Sequence, residues 1–329
     1  MKTDQRVSMQ EVSRLSGVSI ATVSRVIHKS GRYSSATEQR VREVMRQLNY
    51  TPDVVAQGMR MHSMPIVGII VPDIMDENYA LMVRTMQSEL YRNGYSVSIF
   101  NTNEDSTLAQ HFVSMLKTQR ASGIVYVPDR NGEAAEMEGI PTIFFDRRPR
   151  NPQPDNSVVV ECDNYGGAEK AVSRLVADQC TRIALLSDER NISSHQDRIR
   201  GYRSALEAAG LAPGPEYLVD PQRTSEAIAA LDGVFNNGLP FDSIFCTSIR
   251  LTIGALTVLH QANITLRDAP VLGFGEHRLH RYGLLPYRAI REPIEDMAAT
   301  AARELLQLMS GTAPATSKIT LPVGPLAWE

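Results

Sequence analysis

Two hydrophobic rhythms divide this chain near residue 64. In the first sixty residues apolar positions recur every three or four places, the spacing of amphipathic helices. Val7 to Leu15 predicts a short helix with Met9, Val12 and Leu15 on one face and Ser8 as its N-cap. Ser16-Gly17-Val18 reads as a tight turn, where Gly17 supplies a conformation other residues resist. Ser19 then caps a second helix running to about His28, with Thr22, Val23, Val26 and Ile27 facing inward. A third helix is predicted from about Ser35 to Leu48, on Val41, Val44, Met45 and Leu48. The first two, joined by a glycine turn, form a helix-turn-helix. Thr51 as N-cap and Pro52 at the first helical position start one more short helix, Asp53–Arg60. Gly58 inside it costs about 1 kcal/mol relative to Ala. Eight residues are marginal as an isolated helix, so this segment is expected to order only when docked.

From Pro65 the rhythm changes. Ile66–Val71, Val97–Phe100, Gly123–Val127, Thr142–Phe145, Ile183–Leu186, Ser243–Cys246 and Pro270–Phe274 are short apolar runs. Amphipathic stretches of helical length separate them, near Tyr79–Arg92, Thr107–Thr118, Tyr165–Val176, Asp197–Ala209, Ser225–Phe235, Leu251–Gln261 and Ile294–Met309. Alternating β and α elements imply parallel sheets wrapped by helices. Their number suits two Rossmann-like halves better than one large sheet.

Composition narrows the class. At 329 residues the chain is too long for one ordinary domain, and 43% hydrophobic with 22% charged residues is the mixture of a soluble globular protein. The three cysteines Cys162, Cys180 and Cys246 are scattered, which argues for a reducing compartment and against a disulfide framework. The opening MKTDQRVSMQ holds no apolar run that could serve as a signal peptide, and no stretch suits a membrane span. A cytoplasmic protein with no membrane partner is expected. The net charge of −3 does not by itself suggest a nucleic-acid binder, but its distribution does. Residues 1–62 carry ten Lys/Arg against five acids, a surplus of five, so the remainder stands at −8. A basic head on an acidic body places a polyanion contact at the amino terminus.

The string Val18-Ser-Ile-Ala-Thr-Val-Ser-Arg-Val-Ile27, followed by Leu48-Asn-Tyr-Thr-Pro52, resembles the headpiece of the lactose/galactose repressor (LacI/GalR) family. The resemblance implies that the second helix enters the major groove, with Ile20, Ala21 and Arg25 reading bases. Arg25 can donate two hydrogen bonds to a guanine, while Ile20 and Ala21 suit thymine methyls. Ser19, Thr22, Ser24 and Arg32 fall where the family holds phosphates, which fixes register without reading sequence. Ser24 can instead be a plain exposed helix residue. The family pairs a hinge helix with its dimer mate in the minor groove, where Met59 takes the wedge position and Ala56 lies one turn before it. Asp53 departs from the asparagine common there near phosphate and should weaken binding or reposition the hinge.

The remainder resembles the periplasmic-binding-protein-like core of the same family: an α/β body of two Rossmann-like subdomains behind an all-α headpiece. The expected divisions are a headpiece over 1–51, a hinge helix and linker over 52–63, and a core over 64–329. Within the core, one subdomain takes about 64–161 and 293–318, the other about 162–291 and 319–329, with crossings near Cys162, Glu292 and Thr320. Ligands in such folds bind beyond the carboxyl ends of strands, in the cleft. Asp73, Asn78, Tyr79, Asp146, Arg147, Ser248, Arg250 and Glu276 stand just after strand ends. Arg198, in Asp-Arg-Ile-Arg-Gly-Tyr202, matches the family's Arg-x-x-Gly-aromatic ligand contact. Against each stands a plainer role: Asp73 can cap a helix, and Arg147 or Arg148 can pair on the surface. Ser248-Ile249-Arg250 replaces the family's usual Asn-Asp, and Arg-Glu-Pro293 the usual Arg-Gln-Pro. With Arg147, Arg198 and Arg250 all at strand ends, a sugar phosphate or sugar acid is the expected effector. A neutral sugar or a purine-type metabolite is the alternative, as is a co-repressor in place of an inducer.

No enzyme is expected, and neither a cofactor nor a metal. The chain has no nucleophile elbow, Walker loop, GxGxxG after a first strand or metal-ligand spacing, and its seven histidines show no ligand pairing. A solute-binding protein would fit the body, but not the basic helix-turn-helix head. A homodimer on a near-palindromic double-stranded operator is the expected assembly. No leucine heptads follow Trp328 that would pair dimers into tetramers.

Overall fold

The computed structural model describes residues 8–27, 31–48, 50, 64–132, 135–188, 192–219, 228, 240–267 and 269–327. The chain forms two compact units, Met1–Met64 and Pro65–Glu329. The expected hinge, with Asp53, Ala56 and Met59, and the expected helix over Ser225–Phe235 lie outside the described residues, Ile228 excepted.

In the first unit, α1 (Met9–Ser16) starts at Ser8, whose side chain accepts from the Glu11 amide, and stops at Gly17 with φ 69°. A left-handed residue there ends the helix at little steric cost only because it is glycine. Ser19 accepts from the Thr22 amide at the start of α2 (Ile20–Ile27), and Ser34 from the Thr37 amide at the start of α3 (Ser35–Gln47). Val12, Val23, Val26, Val41 and Val44 close the core between the three helices. Leu15, expected inside, is 48% exposed. The inward stripe of α1 passes from Val12 to Ser16, one turn on, where the serine hydroxyl donates to the Val12 carbonyl, and this turns Leu15 outward.

The second unit holds two six-stranded sheets. The first orders its strands β11-β5-β4-β3-β1-β2, from β1 (Met64–Val71), β2 (Ser96–Asn101), β3 (Ala121–Tyr126), β4 (Thr142–Phe145), β5 (Ser157–Cys162) and β11 (Lys318–Leu321). The second orders β12-β10-β9-β8-β6-β7, from β6 (Ile183–Asp188), β7 (Glu216–Val219), β8 (Ser243–Cys246), β9 (Val271–Phe274), β10 (Arg288–Ile290) and β12 (Leu326–Ala327). β1–β2, β3–β4, β4–β5 and β5–β11 are parallel, as are β6–β7, β6–β8, β8–β9 and β9–β10; β12 runs antiparallel to β10.

Helices α4 (Glu77–Arg92) and α10 (Ile294–Met309) pack together on one face of the first sheet, and α5 (Ser106–Thr118) covers the other. On the second sheet α6 (Asn164–Ala177) and α7 (Ser193–Ala208) pack against each other, and α8 (Ile249–Gln261) lies on the opposite face, with short α9 (Arg278–Arg281) after β9. The chain passes between sheets after Cys162, around Glu292, and between Leu321 and Leu326. The third passage falls later than expected. Thr320 pairs with Glu161 inside β11, because Ile319 and Leu321 pack on the core of the first sheet. Pro322, with no amide proton to extend the ladder, follows the last paired residue.

Candidate functional site

Two surfaces carry chemistry. In the helical unit, Ile20, Ala21 and Arg25 are all exposed on α2, with Ile20 at 43%. Positions one turn apart share a face, so these residues and half-buried Ser24 form one ridge opposite buried Val23 and Val26. The Ser19 and Thr22 hydroxyls hydrogen-bond each other at 2.9 Å at the helix start. Arg32 is exposed just after Gly31. The ridge presents one guanidinium, two apolar side chains and hydroxyls around the positive end of a helix, an arrangement that suits a duplex groove.

In the α/β unit, a cavity of about 590 Å³ lies beyond the carboxyl ends of strands from both sheets. It is lined by Asp73, Asn78, Tyr79, Asp146, Arg147, Arg198, Ser248 and Arg250, eight of the nine residues expected there. Asp146 stands directly after β4 with φ 66°, a backbone state that aspartate tolerates better than most residues. One of its carboxylate oxygens accepts from the Tyr79 hydroxyl at 3.1 Å. Its other oxygen is buried with no hydrogen-bond partner among the described residues. Burial pushes the Tyr79 hydroxyl well above the usual phenol range, so it remains a donor. Ser248 caps α8, accepting from the Leu251 amide.

Glu276 is not among the lining residues. Gly275, with φ 103°, turns the chain out of β9, and the Glu276 carboxylate takes hydrogen bonds from Arg281 and Arg291 and lies 3.2 Å from the His280 ring. The expectation that it faces a ligand is therefore corrected. The three arginines expected to converge on an anion are each paired with a carboxylate of the chain. Arg147 donates to both oxygens of Glu104 at 3.1 and 3.2 Å, Arg250 pairs with Asp73 at 2.9 Å, and Arg198 pairs with Glu292 at 2.5 Å. Each guanidinium is closed on a carboxylate of the chain itself. Six carboxylates (Asp73, Asp76, Glu104, Asp146, Asp188, Glu292) face four guanidiniums (Arg130, Arg147, Arg198, Arg250) in the lining. Burial raises Asp76 and Glu292 above the usual carboxylate range, with nearby Arg250 and Arg198 respectively opposing that rise.

Reading the sequence missed Asp76, Glu104, Asp188 and His195, and noted Glu292 as a departure from the family's glutamine without placing it in the lining. Two were recoverable by the strand-end rule that found Asp73, Asp146 and Ser248. Glu104 follows β2 within three residues, and Asp188 is the last residue of β6, whose end was expected two residues earlier. Among the described residues no cluster could hold a metal ion, and no helix is long and apolar enough to cross a membrane.

Both regions of the chain match known protein families. Residues 8–53 match the family described as bacterial regulatory proteins, lacI family. Residues 64–277 match the family described as periplasmic binding proteins and sugar binding domain of LacI family. The chain is similar to the HTH-type transcriptional regulator GalR of Escherichia coli (strain K12), 29% identical over 308 residues that cover 92% of this chain and 89% of that one. It is also similar to the HTH-type transcriptional repressor PurR of Vibrio campbellii (strain ATCC BAA-1116), 27% identical with 91% of each covered. Among solved structures, the lac repressor dimer bound to operator and the anti-inducer ONPF has a TM-score of 0.81, with 22% identity and 98% of each chain covered. The CelR–cellobiose complex has a TM-score of 0.71 at 23% identity, again with 98% of each covered. At these identities the structural likeness is one of fold.

Proposed function

Because this chain belongs to the lacI family of bacterial regulatory proteins, and so is a DNA-binding transcription regulator and not an enzyme, we propose how its two surfaces divide the work. The α2 ridge reads an operator. Arg25 supplies a two-pronged contact to a guanine, Ile20 and Ala21 pack on thymine methyls, and Ser19, Thr22, Ser24 and Arg32 hold phosphates. Two copies bind a near-palindromic site as a homodimer, as the similar lac repressor is described as an operator-bound dimer. The hinge residues Ala56 and Met59 belong to the same proposal, with Met59 as the minor-groove wedge.

The cleft holds the effector, a small neutral carbohydrate. The observation that carries this is the closure of Arg147, Arg198 and Arg250 on Glu104, Glu292 and Asp73. An anionic sugar would have to break one of those pairs and enter a lining where carboxylates outnumber guanidiniums. A polyol brings hydroxyl donors to an acceptor-rich wall, including the unpartnered oxygen of Asp146. A purine-type metabolite is the alternative; the acceptor-rich lining favours the carbohydrate, the class of ligand in the similar CelR–cellobiose complex. Effector binding shifts the relation of the two lobes and, through the hinge, the affinity for operator. Selection of duplexes from a random pool tests the reading: the wild type should return a near-palindrome with a guanine in each half-site, and a pool that stays random would contradict it.

A further inference from the structure

Of the ion pairs in the cleft, the one between Arg198 and Glu292 is set apart by its isolation from water. Their side chains are 5% and 6% exposed, against 27% and 35% for Arg250 and Asp73. The Arg198 guanidinium is held from every side. Its Nε donates to Asn164 Oδ1 and its Nη1 to the Thr247 carbonyl, both at 2.8 Å, and it lies 3.7 Å from the centre of the Phe274 ring. The other carboxylate oxygen of Glu292 accepts from Asn78 Nδ2 at 2.7 Å. Both residues line the cavity, so a bound molecule meets the net charge of this pair with little solvent to screen it.

On the reading of the cleft as the effector site, we propose that Glu292 is its charge-selectivity determinant. The carboxylate cancels Arg198 and leaves the cavity floor suited to an uncharged ligand; an amide at the same position turns that floor into an anion receptor. An anion entering the wild-type cleft must take Arg198 from Glu292 and leave a carboxylate buried without its counter-charge, which is strongly unfavourable. Glutamine has nearly the same shape. Its oxygen can keep the bond from Arg198, and half a turn of the Asn78 amide lets that side chain accept from the new NH₂. The hydrogen bonds are conserved and one negative charge is gone.

The alternative role for Glu292 is a cross-brace alone, and the two roles separate experimentally. The probe is inorganic phosphate, titrated against thermal unfolding of the full chain at constant ionic strength with sodium chloride as reference. Glu292→Gln should gain saturable stabilisation by phosphate, where the wild type shows none up to concentrations at least about tenfold higher. Glu292→Asp, which keeps the charge but shortens the reach to Arg198 and Asn78, should gain none. A folded Glu292→Gln protein indifferent to phosphate overturns the proposal. So does a Glu292→Asp protein that responds equally, since loosening and not charge would then be the cause. Saturable stabilisation of the wild type by phosphate overturns it too, whether or not Glu292→Gln folds. Failure of the wild type to select any duplex would sink the repressor reading instead and leave the phosphate result intact.

Discussion

The Tyr79 hydroxyl donates to one carboxylate oxygen of Asp146 across 3.1 Å, while the second oxygen of that carboxylate is buried with no partner among the described residues. The phenol is thus the hydrogen-bond donor that this charge has from a neighbouring side chain. Tyr79→Phe keeps the ring and removes that donor. It should cost about 1–3 kcal/mol, the range for stranding a buried polar group, read from urea unfolding. A variant as stable as wild type would show that water already satisfies Asp146.

Glu276 gives a pH-dependent prediction. Burial works against its ionisation, but hydrogen bonds from Arg291, Arg281 and His280 outweigh that and hold the carboxyl below its usual range. A carboxylate with a lowered folded pKa contributes stability that is fully present above its unfolded pKa. That contribution is lost as pH falls through the folded value. Glu276→Gln should therefore be less stable than wild type at neutral pH, and the gap should shrink on acidification below the ordinary carboxylate range. Urea midpoints measured across that interval decide it; a gap that widens on acidification would contradict the assignment.

Gly201 lies where α7 meets α6, and a Cβ there would collide with the Tyr165 carbonyl oxygen and crowd Ala168. Neither of those neighbours, a backbone oxygen and a methyl group, can swing away. Gly201→Ala should lower stability by roughly 1–3 kcal/mol through overpacking, despite alanine's better helix propensity. A rise in the urea midpoint would mean that the two helices separate without penalty.

Arg25→Ala should weaken binding of the selected duplex by about 1–3 kcal/mol and relax preference at one base pair in each half-site. Competition with duplexes altered at single positions measures this. Equal weakening for every sequence would make Arg25 a phosphate contact.

Much of the architecture was legible in the amino-acid pattern where burial is complete. Thr142–Phe145 and Ser243–Cys246 are strands with the expected bounds, and Ile294–Met309 is a helix with the expected bounds. What escaped was short or half-exposed. β7 alternates exposed and partly buried residues over four positions, and β10 has three residues, too few for either to establish a period. β5 is a different case: Ser157–Cys162 is wholly buried, and its valine run was readable as a core strand. Of the cleft, strand ends located Asp73, Asp146 and Ser248. The partner of each arginine was not readable, because Arg198–Glu292 and Arg147–Glu104 join residues 94 and 43 positions apart. Glu276 obeyed the strand-end rule in sequence and broke it in space, since Gly275 redirects the chain.

Fluorescence anisotropy of the selected operator duplex, titrated with the full chain in the presence of neutral sugars, sugar acids and sugar phosphates, tests the central claim most directly. The account predicts that a neutral sugar shifts operator affinity by about 5- to 150-fold while its acid and phosphate forms do not. A shift produced by the phosphate or acid form, with the neutral sugar inert, would contradict it.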